Sequence, residues 1–296
     1  MPVIIDNDLP AASVLRSEGL TVLPAGTTPQ ARVALVNLMP VKTDTELDLL
    51  RLIAPWTHNA EITLITMASH TSRHTPAEHI KKHYLTPAQT DICAFDGVII
   101  TGAPLEFVRF EDVDYWPEIT GIFDRLHDSQ TYTLYICWAA FAGLYHRYGI
   151  PMSLLDRKIS GVFSHRITDS AAPLLRGITD GFHIPHSRFA SWHSSDIECH
   201  SAAIHNASTS DEAGIYMVTD NSYRDFYITG HGEYSTLTLD GEYRRDIGKG
   251  MSPAIPSHYY PHDNPELRPT DTWHSHAVTI MCNWLDQITS AKKLTY

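Results

Sequence analysis

Cys137 follows an apolar run, Thr131–Ile136 (TYTLYI), and precedes a segment of small and aromatic residues, Trp138–Leu144 (WAAFAGL). A short run rich in branched and aromatic residues reads as a strand, and the small-residue segment after it as a helix. A thiol on the turn between them is expected to be exposed while its neighbours pack. The free N–H groups at the helix start favour a thiolate and an oxyanion developing beside it. Ala139, Ala140, Ala142 and Gly143 let that helix lie close on a sheet. A buried structural cysteine is the commoner fate of the residue type, but the strand–turn–helix setting argues for a nucleophile.

A thiol nucleophile needs a base, and the base needs an orienting group. The run Phe226–Thr229 (FYIT) reads as another strand and leads directly into Gly230-His231-Gly232-Glu233. His231 just past a strand end is placed to meet Cys137, and Glu233 can accept from the imidazole and support its charged form. Taken alone, H-x-E is a weak signal in a chain with 18 histidines. Its place after a strand strengthens it, whereas His274–His276 follows no strand.

The elements that must position these groups are legible in outline. Arg32–Leu38, Ile62–Met67 and Gly97–Thr101 are further apolar runs of the kind covered on both faces. Between them, Thr43–Ile53 sets Leu47, Leu50 and Ile53 on one helical face, and Trp116–Leu126 does the same with Ile119, Ile122, Phe123 and Leu126. Strands alternating with helices predict an α/β fold, a doubly wound and mostly parallel sheet flanked by helices, with its site beyond the carboxyl ends of the strands. Gly214–Val218 and Phe226–Thr229, joined across Asp220-Asn221-Ser222, predict a β-hairpin. A helix is expected over Leu237–Ile247, irregular chain over the Pro-rich Met251–Pro269, and a last helix over Ser275–Thr289. With no repeat, low-complexity segment or linker, residues 1–296 read as a single domain.

Composition narrows the function classes. The chain has 296 residues and a formal net charge of −12, with 43% hydrophobic residues, enough for a sizeable core. That charge opposes general nucleic-acid binding and binding to anionic membranes. A small anionic ligand such as a coenzyme stays open. Cys93, Cys137, Cys199 and Cys282 form no C-x-x-C pair, so neither a zinc site nor a disulfide scaffold is expected. The N-terminal residues lack a basic, then apolar, leader pattern, and no run of about 18 apolar residues occurs. A soluble, reduced, cytoplasmic protein is the expectation.

Together these residues resemble the homoserine O-acyltransferase (homoserine transsuccinylase) family of the class I glutamine-amidotransferase-like fold. The likeness runs over nearly the whole chain. Its markers are Asn37-Leu-Met-Pro40 with Lys42, Thr101-Gly-Ala-Pro104, Ile136-Cys-Trp138, Pro185-His-Ser-Arg188, Thr229-Gly-His231 and Trp273-His-Ser-His276. The resemblance implies a two-step acyl transfer in which Cys137 carries the acyl group as a thioester, His231 moves the protons and Glu233 holds the imidazole. It implies acetyl-CoA as co-substrate, no permanently bound cofactor, and L-homoserine as acceptor on the way to methionine. The Trp138 N–H is an expected oxyanion donor, with a second from the Gly102–Ala103 loop or from Leu38–Met39. Lys158, Ser187 and Arg245 match substrate-binding positions, Arg245 gripping a carboxylate, and Lys42 matches a lysine near the site. Without the likeness, Lys42 and Lys158 would read as surface ammonium groups, and Arg245 as a solvated helix-face arginine. Homodimers are common among such enzymes, and one is compatible with this chain.

Glu106 carries the choice of acyl donor. A glycine at this position goes with succinyl-CoA in the family and a glutamate with acetyl-CoA. A carboxylate there would narrow the acyl pocket and repel the free carboxylate of a succinyl group. Two departures stand out: Gly232 where the family usually has proline, and Phe141 where a glutamine is common. They keep L-serine open as an acceptor, since one methylene is worth only about 1–3 kcal/mol of discrimination. Succinyl transfer to homoserine stays open as well, and so does glutamine hydrolysis, which the fold also hosts.

Overall fold

The computed structural model describes residues 2–293. In chain order the elements are β1 (Pro2–Ile4), α1 (Pro10–Ser17), β2 (Thr21–Leu23), β3 (Ala31–Val36), α2 (Lys42–Ile53), β4 (Ala60–Ile65), α3 (Ala77–His83), β5 (Tyr84–Leu85), β6 (Gly97–Ile100) and α4 (Trp116–Asp128). Then follow β7 (Tyr132–Ile136), α5 (Trp138–Tyr148), β8 (Ser153–Ile167), β9 (Phe182–Ser191), α6 (Ser194–Glu198), β10 (Ile204–Ser210), β11 (Gly214–Asp220), β12 (Asp225–Ile228), α7 (Thr238–Gly248) and α8 (His274–Lys293). Among the described residues, twelve strands make one sheet in the order β2-β1-β4-β3-β6-β7-β12-β11-β10-β8-β9, with β5 beside β4. Pairings from β2 to β12 are parallel, and those from β12 to β9 are antiparallel.

The parallel half is doubly wound, as its apolar runs require. Alternate strand residues point to opposite faces. Val33, Leu35, Ile99 and Leu134 pack under α2 and α8, against Leu49, Leu50, Ile53, Met281 and Trp284. Ala34, Val98, Ile100 and Tyr135 pack on the other face, against Ile119, Ile122 and Phe123 of α4 and Phe141 and Leu144 of α5. The helix faces expected from spacing are the buried ones in α4, while in α2 Leu49 and Leu52 are buried and Leu47 is only partly so.

The antiparallel part extends further than the predicted hairpin of β11 and β12. Strands β8, β9 and β10 add an antiparallel layer that apolar runs do not announce. Strand β8 (SLLDRKISGVFSHRI) is laced with charges, β9 contains Pro185, and β10 (IHNASTS) is largely polar. The Pro-rich stretch is irregular as expected, apart from a short 3-10 turn at Pro261–Asp263. It is nonetheless pinned to β8: Val162 N–H donates to Ser257 C=O at 2.9 Å, and Ser257 N–H to Ser160 C=O at 2.9 Å. Gly161, at φ 148°, makes this crossing feasible, because a Cβ there would lie 2.3 Å from the Ser257 carbonyl oxygen. No described helix is long and apolar enough to cross a membrane.

Candidate active site

Strand β7 ends at Ile136, and Cys137 caps α5 with φ 51° and ψ −114°, backbone angles that a non-glycine residue rarely adopts. The surroundings fix it there. Its N–H donates to Ile228 C=O at 2.7 Å, and its own C=O accepts from Ala140 N–H at 2.9 Å. Gly143 lets α5 approach the sheet, since a Cβ there would lie 2.9 Å from the Tyr227 ring. The expectation of an open thiol needs correction: Cys137 is only 5% exposed. The Gly102 loop crowds it, and a Cβ on Gly102 would lie 3.1 Å from the Cys137 Cβ and 3.5 Å from the Trp138 nitrogen.

Trp138 opens α5, so its N–H has no acceptor within the helix. Of the two loops expected to add a second donor, Leu38–Met39 has spent its amides. Leu38 N–H donates to Thr101 Oγ1 at 2.8 Å and Met39 N–H to Asn37 Oδ1 at 3.1 Å. The Gly102–Ala103 loop is pressed against the elbow.

Strand β12 delivers His231. Its backbone N–H donates to Pro185 C=O at 2.8 Å, tying the loop to β9. Nδ1 lies 2.7 Å from Glu233 Oε1, and the Cys137 sulfur lies close enough to act on the charge of the ring. Burial alone would push the imidazolium pKa down. The Cys137 sulfur and the Glu233 carboxylate outweigh it and hold the pKa well above the usual histidine range. Tyr234 stacks on the imidazole, with ring centroids 4.3 Å apart.

Both departures from the family pattern have structural counterparts. Gly232 leaves the His231–Glu233 bond intact and abuts α8, where a Cβ would lie 2.8 Å from the Ala277 Cβ. Phe141 is buried against Trp192, with ring centroids 4.7 Å apart.

Lys158 from β8 and Ser187 from β9 meet on one carboxylate that sequence reading missed, Glu242 of α7. Lys158 Nζ donates to Glu242 Oε2 at 2.9 Å and Ser187 Oγ donates to the same oxygen, while Tyr234 OH donates to Oε1 at 3.0 Å. Burial would raise the Glu242 carboxyl, yet Lys158, Ser187 and nearby His231 hold it below the usual carboxylate range. Little in the local sequence marks Glu242, because two of its partners, Lys158 and Ser187, are 84 and 55 residues away. Arg245, one turn on, is not joined to this cluster. Its guanidinium is about half exposed and lies 2.8 Å from Asp246.

Lys42 is not a surface ammonium: it is 3% exposed, and Nζ donates to the Asn37 carbonyl and, at 3.4 Å, to that of Met39. Burial brings its pKa down to about 8. Lys42 therefore fastens the loop after β3. Glu106 is half-buried in the loop that begins at Gly102, and the next residue, Phe107, packs its ring on Phe189 at 5.2 Å. Arg188, fully buried, donates to the Ala190 and Ala213 carbonyls and has no carboxylate partner among the described residues.

Comparisons with known proteins place the chain in a family. The family model described as homoserine O-succinyltransferase matches residues 2–294. A homoserine O-acetyltransferase of Bacteroides fragilis is 44% identical over 97% of this chain and 95% of its own length. A homoserine O-succinyltransferase of Shewanella piezotolerans is 42% identical over 97% of this chain and 92% of its own length. Among solved structures, a glutamine amidotransferase of Thermotoga maritima superposes with a TM-score of 0.61 at 10% identity, covering 88% of this chain and 99% of that one, a likeness of fold. The chain belongs to the homoserine O-succinyltransferase family.

Proposed function

We propose that the chain transfers an acetyl group from acetyl-CoA to the hydroxyl of L-homoserine through a thioester on Cys137, activating that oxygen for later sulfur incorporation towards methionine. The observation that carries this reading is one linked set: a thiol on a strained elbow, beside an imidazole whose charge it supports and whose Nδ1 is 2.7 Å from Glu233. The relatives supply the acceptor, since homoserine stands in the names of both.

In the first step the Cys137 sulfur attacks the thioester carbonyl, its proton held on His231. The tetrahedral oxygen is met by the Trp138 N–H and a donor of the Gly102–Ala103 loop; removing one such donor costs about 3 kcal/mol. Collapse breaks the bond to the CoA sulfur, which leaves with the proton from His231. In the second step neutral His231 takes the hydroxyl proton of homoserine as its oxygen attacks the acyl-enzyme. The second collapse releases the ester and restores the Cys137 sulfur beside a charged imidazole. Exchange between thiols is nearly thermoneutral and transfer to an alcohol is downhill, so the order suits the chemistry. The Lys158–Glu242–Ser187 cluster supplies opposite charges for the two ends of an amino acid, with the Glu242 carboxylate for the ammonium group. Arg245 reaches the substrate carboxylate only by leaving Asp246.

Glu106 supports acetyl as the cargo. It lies half-buried in the loop that begins at Gly102, beside the thiol, and a carboxylate there would repel the free carboxylate of a succinyl group. Steady-state rates with acetyl-CoA and succinyl-CoA, each with homoserine and with serine, test the reading. The native chain is expected to favour acetyl-CoA and homoserine, and Glu106→Gly to move the donor ratio about tenfold or more towards succinyl-CoA. An unchanged ratio would remove Glu106 from donor selection.

A further inference from the structure

Beside the Lys158–Glu242 cluster lies a cavity of about 460 Å³, lined by Arg157, Lys158, Phe189, Tyr243, Met251 and Pro253 among others. Its walls come from β8, β9, α7 and the Pro-rich stretch that Ser257 pins against Gly161. The size suits an extended small molecule. The lining is mixed in a particular way. Met251 is 52% exposed and Phe189 packs on Phe107, itself 69% exposed, so apolar surface faces water at this mouth. Arg157 is exposed and has no ion-pair partner among the described residues.

We propose that this cavity holds the CoA portion of the donor, with the pantetheine arm along Phe189, Met251 and Pro253 and a phosphate group on Arg157. The proposal rests on the acyl-CoA reading above and assigns a place to a part of the donor which that reading leaves without one. The location fits the chemistry: Phe189 of this cavity packs on Phe107, the neighbour of Glu106 in the loop that begins at Gly102 and is pressed against the thiol. A second cavity, of about 380 Å³, is lined by Ala103 and Pro104 of the Gly102 loop and carries Arg73 and His74. Asp112 and Asp114 line it too, and His70 is bound to Asp114 at 2.7 Å. Its Asp112 has no ion-pair partner among the described residues, whereas Asp246, the one carboxylate lining the first cavity, is paired with Arg245.

The test is charge reversal at Arg157, read by CoA binding and, separately, by turnover. Calorimetric titration with free CoA is expected to show Arg157→Glu weakening binding about tenfold, the loss of one charge-assisted phosphate contact. The KM for acetyl-CoA should rise in parallel, with kcat and the KM for homoserine unchanged. Acetyl-pantetheine, which lacks every phosphate, should serve both proteins equally. Arg73→Glu in the second cavity should leave CoA affinity within twofold of the native value. Equal CoA affinity in the native and Arg157→Glu proteins would overturn the assignment, and so would an equal penalty with acetyl-pantetheine or a larger effect from Arg73→Glu. A native chain that binds CoA through Arg157 but transfers no acetyl would leave this site standing and sink the functional reading instead.

Discussion

One imidazole must be charged in one half of the proposed reaction and neutral in the other, and the surroundings of His231 allow both. Before acylation the Cys137 sulfur and Glu233 hold its proton against the burial that would remove it. Once the sulfur carries an acyl group it is neutral, the strongest of those supports is gone, and burial favours a neutral base. The same carboxylate acts on a neighbour. Asp48 of α2 is raised from 3.8 to about 7, first by burial and then by the charge of Glu233. The folded chain therefore keeps a proton there that the unfolded chain has released, so stability falls as pH rises from about 4 to about 7. Asp48→Asn keeps an oxygen for Arg51 while removing the charge. It is expected to raise stability at about pH 8 by about 1–3 kcal/mol and to flatten the dependence of Tm on pH across that window. A Tm profile parallel to the native one would contradict the assignment.

The elements divide into those that announce themselves and those that do not. Strands β3, β6 and β7 are legible as apolar runs because helices cover both their faces, and α4 because its inward positions repeat with the helical period. Cys137 and His231 are legible with them, since both stand directly after such strands. Strands β8 and β9 hide because their buried positions include His165, His186 and Arg188, which satisfy one another or backbone carbonyls instead of forming an apolar stripe. Glu242 hides for a different reason: its meaning lies in partners brought from β8 and β9. The loop after β12 shows how tightly elements constrain a site residue. Gly232→Ala would drive a Cβ to 2.8 Å from that of Ala277 on α8. Crowding of this kind costs about 1–3 kcal/mol and would shift His231 from Glu233, lowering kcat. Ala277→Gly in the same chain should recover most of both losses, measured by denaturant unfolding and steady-state rates. No recovery would show that Gly232 is required for its backbone freedom and not for space.

At the scale of the whole molecule, the site is shared by the two halves of one continuous sheet. The parallel half presents Cys137 and the Gly102 loop, β12 at the junction presents His231, and the antiparallel strands present Lys158 and Ser187. One continuous sheet thus carries Cys137 on one side of the β7–β12 seam and Lys158 and Ser187 on the other. All of this depends on a covalent intermediate. Intact-protein and peptide mass spectrometry after mixing the chain with acetyl-CoA alone tests it most directly. The account predicts one added acetyl group on the peptide containing Cys137, discharged by homoserine as the O-acetyl ester and absent in a folded Cys137→Ala protein. Ester formation by Cys137→Ala, or a native chain that makes ester while its acetyl group sits on another residue, would contradict it.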